Sequence, residues 1–125
     1  MNPEDLKYSK EHEWARVEGN TVVVGITRFA ADQLGDVVYV DLPDAGGEVD
    51  QFGKFGEIES VKTVSDLFSP VGGKIVEVND SVKDSPEKVN DDTYGEGWLL
   101  KIEIADTAQL DNLMDASGYE SLTAE

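Results

Sequence analysis

Residues 55–71 have the sequence FGEIESVKTVSDLFSPV, in which two strand-like runs flank a single lysine, Lys62. β-branched and aromatic residues dominate both runs, and Ser69-Pro70 closes the second run, so the pattern predicts a β-hairpin. One parity of the first run is shared by Phe55, Glu57, Glu59 and Val61. We expect Lys62 at the hairpin tip, where a macromolecular partner can reach its side chain. A lysine there suits covalent modification, although most lysines near turns are ordinary solvated charges.

The composition argues against several kinds of binding partner and against several kinds of catalytic or metal site. The chain has 125 residues and a formal net charge of −17, which argues against nucleic-acid and anionic-membrane partners. The charge favours either steering toward a basic patch on a partner or simple solvation. There is no cysteine and only one histidine, His12, so thiolate chemistry and a histidine-based zinc site are not expected. The N-terminus lacks signal features and no apolar run reaches membrane-spanning length, which predicts a soluble cytoplasmic protein.

The remaining pattern is that of a mainly β protein. Short apolar, β-branched runs recur with glycine-rich turns between them, which is typical of a sandwich or barrel-like core. Strands are predicted at residues 6–8, 12–17, 21–26, 36–42, 48–50, 74–78 and 98–104. The apolar content of 36–42 predicts a strand that is buried on both faces.

Helices are predicted at three places. Thr27 can cap a short helix over residues 28–34, with Gly35 ending it in a left-handed conformation. A single turn is predicted at 85–89, after a polar segment at 79–81. A C-terminal helix is predicted over about 106–117, since Asp106-x-x-Gln109 resembles a capping box and Gly118 suits a helix end.

The sequence contains several other candidate sites, but none of them has the pattern expected of a catalytic, metal or phosphate site. His12 and Glu13 could form an acid–base pair, yet neighbouring strand positions face opposite sides, so we do not expect them to act on one substrate. Asp91-Asp92 lacks the ligand spacing of a calcium loop, and the glycine pairs do not join a strand to a substantial helix as a phosphate loop would. Glu59 and Asp66 favour the protonated form of Lys62, which argues against an amine nucleophile. An attachment lysine has no such requirement, because a modifying enzyme can deprotonate it.

The hairpin resembles the lipoyl-attachment hairpin of the glycine cleavage system H protein family. The resemblance covers about residues 6–104 and is carried by segments 10–14, 24–27, 33–43, 57–73, 77–79 and 94–99. Val61-Lys62-Thr63 lacks the flanking methionines of biotin carriers and the Asp-Lys-Ala of most 2-oxoacid dehydrogenase lipoyl domains. The resemblance therefore favours lipoate over biotin.

This resemblance implies the fold and the function. It implies one lipoyl-carrier domain over residues 1–125, with two packed antiparallel sheets in a barrel-sandwich hybrid, a core at about 6–104, short helices and a C-terminal helix. Lys62 would carry lipoic acid in amide linkage. The protein would be a monomeric carrier with no catalysis of its own, passing the aminomethyl group of glycine from the pyridoxal-phosphate-dependent glycine decarboxylase (P protein) to the tetrahydrofolate-dependent aminomethyltransferase (T protein). Dihydrolipoamide dehydrogenase (L protein) and lipoylating enzymes would be the other partners.

The resemblance also implies roles for acidic residues. Glu13 is the first candidate, and Asp66 the second, to stabilise a cationic amine on an arm that folds into a surface cleft. Glu57 and Glu59 could present the hairpin to lipoylating enzymes or could simply form a solvated face. Glu11 stands where some family members have a neutral polar residue, and its role is left open.

Two other functions remain open at this point. The chain could be an H-like protein that relays lipoyl groups during lipoate assembly, or an unmodified acidic β module that only binds a partner. Mass spectrometry for a lipoyl group on Lys62 separates the second alternative, and glycine–bicarbonate exchange separates the first.

Overall fold

Two antiparallel sheets form the protein over residues 3–123, the part of the chain that the computed structural model describes. One sheet has six strands in the order β1-β2-β3-β9-β8-β5, and the other has three in the order β4-β6-β7. The nine strands of the described residues are β1 (Lys7–Tyr8), β2 (Glu13–Glu18), β3 (Thr21–Ile26), β4 (Val37–Asp41), β5 (Glu48–Val49), β6 (Lys54–Ser60), β7 (Val64–Phe68), β8 (Gly73–Val78) and β9 (Leu100–Ile104). The predicted mainly β class with two antiparallel sheets is confirmed.

The main core contains inward-facing residues of both sheets. β3 has the bounds predicted from its β-branched run, and it lies inside the six-stranded sheet because it pairs with both β2 and β9. Residues 22–26 are all buried, so the strand is covered on both faces. The core cluster also draws on β4, β6 and β7 through Val40, Ile58 and Leu67. Sheet-on-sheet packing of this kind supplies most of the apolar burial.

A second, smaller core covers the opposite face of the six-stranded sheet. It is formed by Leu6, Tyr8, Trp14, Val23, Ala116 and Tyr119. The Trp14 indole lies across its strand partner Gly25, where an added Cβ would be 2.5 Å from indole Cε2. The indole Nε1–H donates to the carbonyl of Thr93 at 3.0 Å. Glycine at position 25 therefore provides the space that the fully buried ring occupies.

The prediction that residues 36–42 are buried on both faces is wrong. Within β4, Val37 and Val40 are buried, whereas Val38 and Tyr39 are 48% and 54% exposed. A register shift between Val37 and Tyr39 breaks the alternation, as a β-bulge does. The three-stranded sheet also has one face toward solvent, so an apolar run did not require burial there.

The parity predicted for the first hairpin strand also needs correction. Phe55 is buried, but Ile58 and Ser60 are the next buried residues, so the inward parity changes along β6. The change coincides with a register shift between Lys54 and Gly56 in the pairing with β7. Strand alternation alone gives no sign of such a bulge.

Substituting Gly56 by alanine is expected to destabilise the fold by about 2 kcal/mol. A Cβ at this position would overlap the main-chain oxygen of Asp41 in the neighbouring strand, and backbone cannot move aside as a flexible side chain can. Gly47→Ala is the matched control, since its Cβ would meet nothing closer than 3.7 Å. Denaturant unfolding of both variants measures the effect, and equal stabilities would contradict it.

The first helix follows its prediction closely. Helix α1 covers Arg28–Leu34, and Thr27 Oγ1 accepts a hydrogen bond from the Ala30 amide as an N-cap. Gly35 follows with φ 79° and ψ −152°, a positive φ but not the left-handed helical conformation that was predicted. The final turn is closed by the Gly35 amide, which donates to the Ala31 carbonyl.

The helices after β8 differ from the prediction. Helix α2 covers Asp80–Asp84, where only a polar segment at 79–81 was described and no helix was predicted. The Asn79 side chain caps this helix by accepting a hydrogen bond from the Ser81 amide. Helix α3 covers Lys88–Asp91, slightly later than the predicted turn. No helix of the described residues is long and apolar enough to cross a membrane.

A C-terminal helix is present, but the prediction that it runs continuously over about 106–117 is wrong. A 3₁₀ helix covers Thr107–Asn112, and helix α4 covers Ala116–Thr123 with Gly118 inside it. Asp106 caps the 3₁₀ helix, but the Gln109 side chain accepts from the Gly72 amide instead of completing a capping box. Between the helices, Met114 is held in an isolated β-bridge with Tyr8. These long-range contacts interrupt what local propensity predicts as one helix.

Candidate functional site

Lys62 lies in the turn between β6 and β7, as predicted. Ser60 organises this turn, because its amide donates to the Thr63 carbonyl at 2.8 Å and its Oγ accepts from the amides of Lys62 and Thr63. Ser60 itself is buried, whereas Lys62 is exposed. Within residues 3–123, the ammonium of Lys62 has no ion pair and no hydrogen bond. The fixed backbone thus presents a free amine to solvent.

The hairpin tip is also attached to the end of helix α1. The Val61 amide donates to the Asp36 carbonyl at 3.1 Å. A Cβ built on Gly35 would be 3.7 Å from Lys62 Cε, so the lysine chain passes close to the helix end. The position of the amine relative to α1 is therefore set by two separate segments.

A cavity of about 640 Å³ begins beside this turn. Its walls come from the segment before β2, from helix α1 and from the edge strand β7. Thr63 and Val64, the two residues after Lys62, line it on one side. Other lining residues include Glu11, His12, Glu13, Phe29, Asp66 and Phe68. A cavity that combines apolar side chains with acidic groups is suited to an aliphatic chain that ends in a cation.

Glu13 is a buried carboxyl group in the wall of this cavity. It is only 2% exposed, with the Ser9 hydroxyl donating to Oε1 at 2.6 Å and the Phe68 amide donating to Oε2 at 3.3 Å. Burial raises the pKa of Glu13 to about 8, while these hydrogen bonds oppose the rise. At neutral pH the carboxyl is therefore mostly protonated, and a cation entering the cavity would favour its ionised form.

Protein stability should depend on the protonation of Glu13. The folded pKa lies above the ordinary value of 4.5, so between about pH 4.5 and 8 the folded state retains a proton that the unfolded state loses. The free energy of unfolding should therefore decrease with rising pH in this range, by about 1 kcal/mol per pH unit. Glu13→Gln should remove this contribution. Denaturant unfolding of both proteins at pH 5, 6.5 and 8 tests it, and parallel pH dependences would contradict it.

His12 lies in the same cavity wall as Glu13, contrary to the expectation that they face opposite sides. It precedes β2 and has φ 72°, so strand alternation does not apply to it. Its Nδ1 is 2.7 Å from the Tyr119 hydroxyl, which is also 2.7 Å from Thr27 Oγ1. Burial lowers the pKa of His12, although Glu11 opposes the shift, and burial raises the pKa of Tyr119 to about 12. Helix α4 thus holds the imidazole through Tyr119, at a position where burial disfavours its cationic form.

Asp66 also lines the cavity, but it is shared with a lysine on the hairpin. Lys54 Nζ lies 3.2 Å from Asp66 Oδ1 and 2.9 Å from Glu57 Oε2. Glu57 and Glu59 are separated from the cavity, since they follow the outward parity of β6 and do not line it. Glu13 and Asp66 thus both border the cavity beside the lysine turn, but the Asp66 carboxylate shares Lys54 with Glu57, its cross-strand partner on the outward side of the hairpin.

Sequence reasoning missed the residues that hold Glu13 and His12 in place. Ser9 carries no distinguishing motif, and Tyr119 is 107 positions from His12. Thr27 was identified only as a helix cap. Glu11, whose role was left open, lines both this cavity and a second one of about 390 Å³.

The described residues define a mainly β protein of two antiparallel sheets that do not close into a barrel, with an exposed lysine at the tip of a hairpin. The sequence model of the family described as "Glycine cleavage H-protein" matches residues 6–125. The chain belongs to this glycine cleavage H-protein family.

Individual relatives agree with this assignment. A glycine cleavage system H protein from Symbiobacterium thermophilum is 62% identical over 123 residues, which are 98% of this chain and 96% of the relative. One from Anaeromyxobacter sp. (strain K) is 54% identical over the same shares. The crystal structure of a glycine cleavage system H protein from Mycobacterium marinum is similar with a TM-score of 0.89 and 40% identity, covering 96% of this chain and 97% of that one. The fold and the family predicted from the lysine hairpin are thus confirmed.

Proposed function

We propose that this protein is the lipoyl-bearing carrier of a glycine cleavage system, with lipoic acid attached to Lys62 in amide linkage. The observation that carries the proposal is the exposed, unpaired amine of Lys62 on a rigid turn beside a cavity. A modifying enzyme can reach such an amine, and acylation removes its charge. Ser60 and the Asp36 carbonyl hold the turn, so they would aim the arm toward the cavity or toward a partner.

The bound cofactor would supply the chemistry, and the protein would supply tethering and orientation. The protein would take the aminomethyl group of glycine from the pyridoxal-phosphate-dependent decarboxylase to the tetrahydrofolate-dependent aminomethyltransferase. Dihydrolipoamide dehydrogenase would reoxidise the dithiol. The carrier would have no turnover of its own, and tethering would raise the local concentration of the arm at each enzyme.

Between partners, the cavity would shelter the loaded arm from water. Phe29 and Phe68 supply apolar surface, while Glu13 and Asp66 can face a terminal ammonium group. Ionised Glu13 would be strongly stabilised by that ammonium, because few other groups screen it in a buried site. Asp66 would contribute less, since Lys54 already pairs with it.

The acidic surface is assigned to recognition. Glu57 and Glu59 lie outside the cavity on the hairpin and are proposed to present Lys62 to the lipoylating enzymes. We place the carrier in the cytoplasm as a single domain, and as a monomer because a net charge of −17 makes copies repel.

Lipoylation followed by an exchange assay tests this function. Incubation with an active lipoate ligase, ATP and lipoate should add the mass of one lipoyl group, as measured by intact mass spectrometry. The product should then support glycine–bicarbonate exchange with the decarboxylase, which a protein serving only as a lipoyl relay would not do. Failure of modification under conditions that modify a known carrier would overturn the proposal.

A further inference from the structure

The solvent-facing side of the three-stranded sheet carries exposed apolar residues on either side of Glu59, next to the lysine turn. Tyr39 is the cross-strand partner of Glu59, and Glu59 is the partner of Val64. Tyr39 and Val64 are 54% and 55% exposed, and Val61 beside the lysine is 73% exposed. Together with Val38 at 48%, these residues form what we call the outer patch: Val38, Tyr39, Glu59, Val61 and Val64.

Tyr39 is the feature of the outer patch that most needs an explanation. Within residues 3–123 its hydroxyl has no hydrogen-bond partner and its ring has no aromatic contact. An exposed tyrosine near several exposed valines is typical of a protein interface, where its ring becomes buried and its hydroxyl finds a partner. By contrast, Tyr8 and Tyr119 are fully buried in the fold.

The charges around the outer patch are predominantly acidic. A second cross-strand row, next to the first, consists of Asp41, Glu57 and Asp66. Lys54 pairs with two of these carboxylates. When Lys62 is acylated it loses its charge, which leaves Lys54 as the cation on this part of the hairpin. The modified face therefore combines exposed apolar side chains with carboxylates, since Glu59 lies within the outer patch and the acidic row lies beside it.

This charge pattern selects one kind of occupant. Two copies of the chain, each with net charge −17, would bring like charges together at the patch. A protein surface that combines apolar side chains with lysine or arginine residues would match both properties. Electrostatic attraction between the basic partner and this acidic chain would also accelerate their encounter, so association should weaken as the salt concentration rises.

We propose that the outer patch is the docking surface for the decarboxylase that loads the arm, and that this enzyme presents a surface of apolar and positively charged side chains at the mouth of its active site. The inference rests on the proposed carrier function and names the surface used for it. Because Val61 and Val64 flank the turn that carries Lys62, docking of the patch would place the arm at that mouth.

Kinetics of the carrier as a substrate test the proposal. Fully lipoylated Tyr39→Ala should show a KM about tenfold higher in glycine–bicarbonate exchange with the decarboxylase, with kcat unchanged. Tyr39→Phe should show a smaller increase, since it keeps the ring. Val17→Ala and Val76→Ala are matched controls, because these valines are 44% and 43% exposed on the six-stranded sheet and should leave KM unchanged.

Further measurements separate the outcomes. Thermal unfolding should show equal stability of Tyr39→Ala and wild type, and raising salt should increase the KM of the wild type. An unchanged KM for Tyr39→Ala would overturn the inference, as would a wild-type dimer in sedimentation that this variant dissociates. If the wild type itself is not lipoylated or does not support exchange, the carrier function fails instead, which is a distinct result.

Discussion

Lys62→Arg is expected to abolish lipoylation and all activity that depends on it. Arginine keeps the positive charge and the exposed position, but its guanidinium stays protonated and is not acylated by an enzyme that uses a free amine. The fold should be unaffected because Lys62 has no hydrogen bond or ion pair through its side chain within the described part of the chain. Intact mass after incubation with ligase, ATP and lipoate should show no gain, and exchange should be undetectable.

Three other lysines are already paired, and a fourth is exposed without a projecting turn. Lys54, Lys83 and Lys101 pair with carboxylates. Lys74 is exposed on β8 and provides the control, since it has no ion pair among residues 3–123 but also no projecting turn. Lys74→Arg should be lipoylated fully. A lipoyl group on Lys62→Arg would show that another amine is used and would contradict the assignment.

Glu13→Gln is expected to shorten the lifetime of the aminomethyl-loaded, isolated carrier by about tenfold at pH 7 and about a hundredfold at pH 8. Removing one partner from a buried ion pair costs about 3 kcal/mol or more, which sets the larger figure. At pH 7 the expected difference in lifetime is smaller. The pKa of Glu13 is about 8 in the empty cavity, so at pH 7 the free energy needed to ionise Glu13 reduces the stabilisation by the ion pair. The variant should still be lipoylated, because Glu13 lies in the cavity wall and not on the turn.

The measurement is the release of formaldehyde and ammonia from loaded carrier at pH 6, 7 and 8. The ratio of the variant rate to the wild-type rate cancels the intrinsic pH dependence of the loaded group. This ratio should rise with pH up to about 8. Glu103→Gln, an exposed charge on β9, is the control for the change in net charge. A ratio near one at every pH would remove Glu13 from this role.

Local signals predicted those parts of the fold whose contacts are local. The bounds of β3 followed from a β-branched run, and those of α1 followed from the Thr27 cap and Gly35. The bulges at Val37/Tyr39 and Lys54/Gly56 were not predictable, because the register of one strand is decided by its neighbour. The prediction of one continuous C-terminal helix failed for the same reason. The Gln109 side chain bonds the Gly72 amide, and the backbone of Met114 pairs with Tyr8.

In the candidate site, too, the sequence predicted the features set by local pattern but not those set by long-range contacts. Lys62 was predictable because a turn between two strand-like runs exposes whatever residue it contains, and the family resemblance added Glu13 and Asp66. The environment of Glu13 was not predictable, since the Phe68 amide that bonds its carboxyl group lies 55 positions along the chain. Neither was the position of His12, whose positive φ removes it from the strand pattern.

Tyr119 joins the last helix to the wall of the cavity, and this has a consequence for local opening. Its ring stacks on Tyr8 at 4.8 Å, while its hydroxyl contacts both His12 and the cap residue of α1. Detachment of α4 would thus release the imidazole and loosen the first turn of α1 in one event. Amide protons of α4, of the first turn of α1 and of the segment around His12 should therefore exchange with deuterium as one cooperative unit. Opening of the cavity would then be coupled to the detachment of α4.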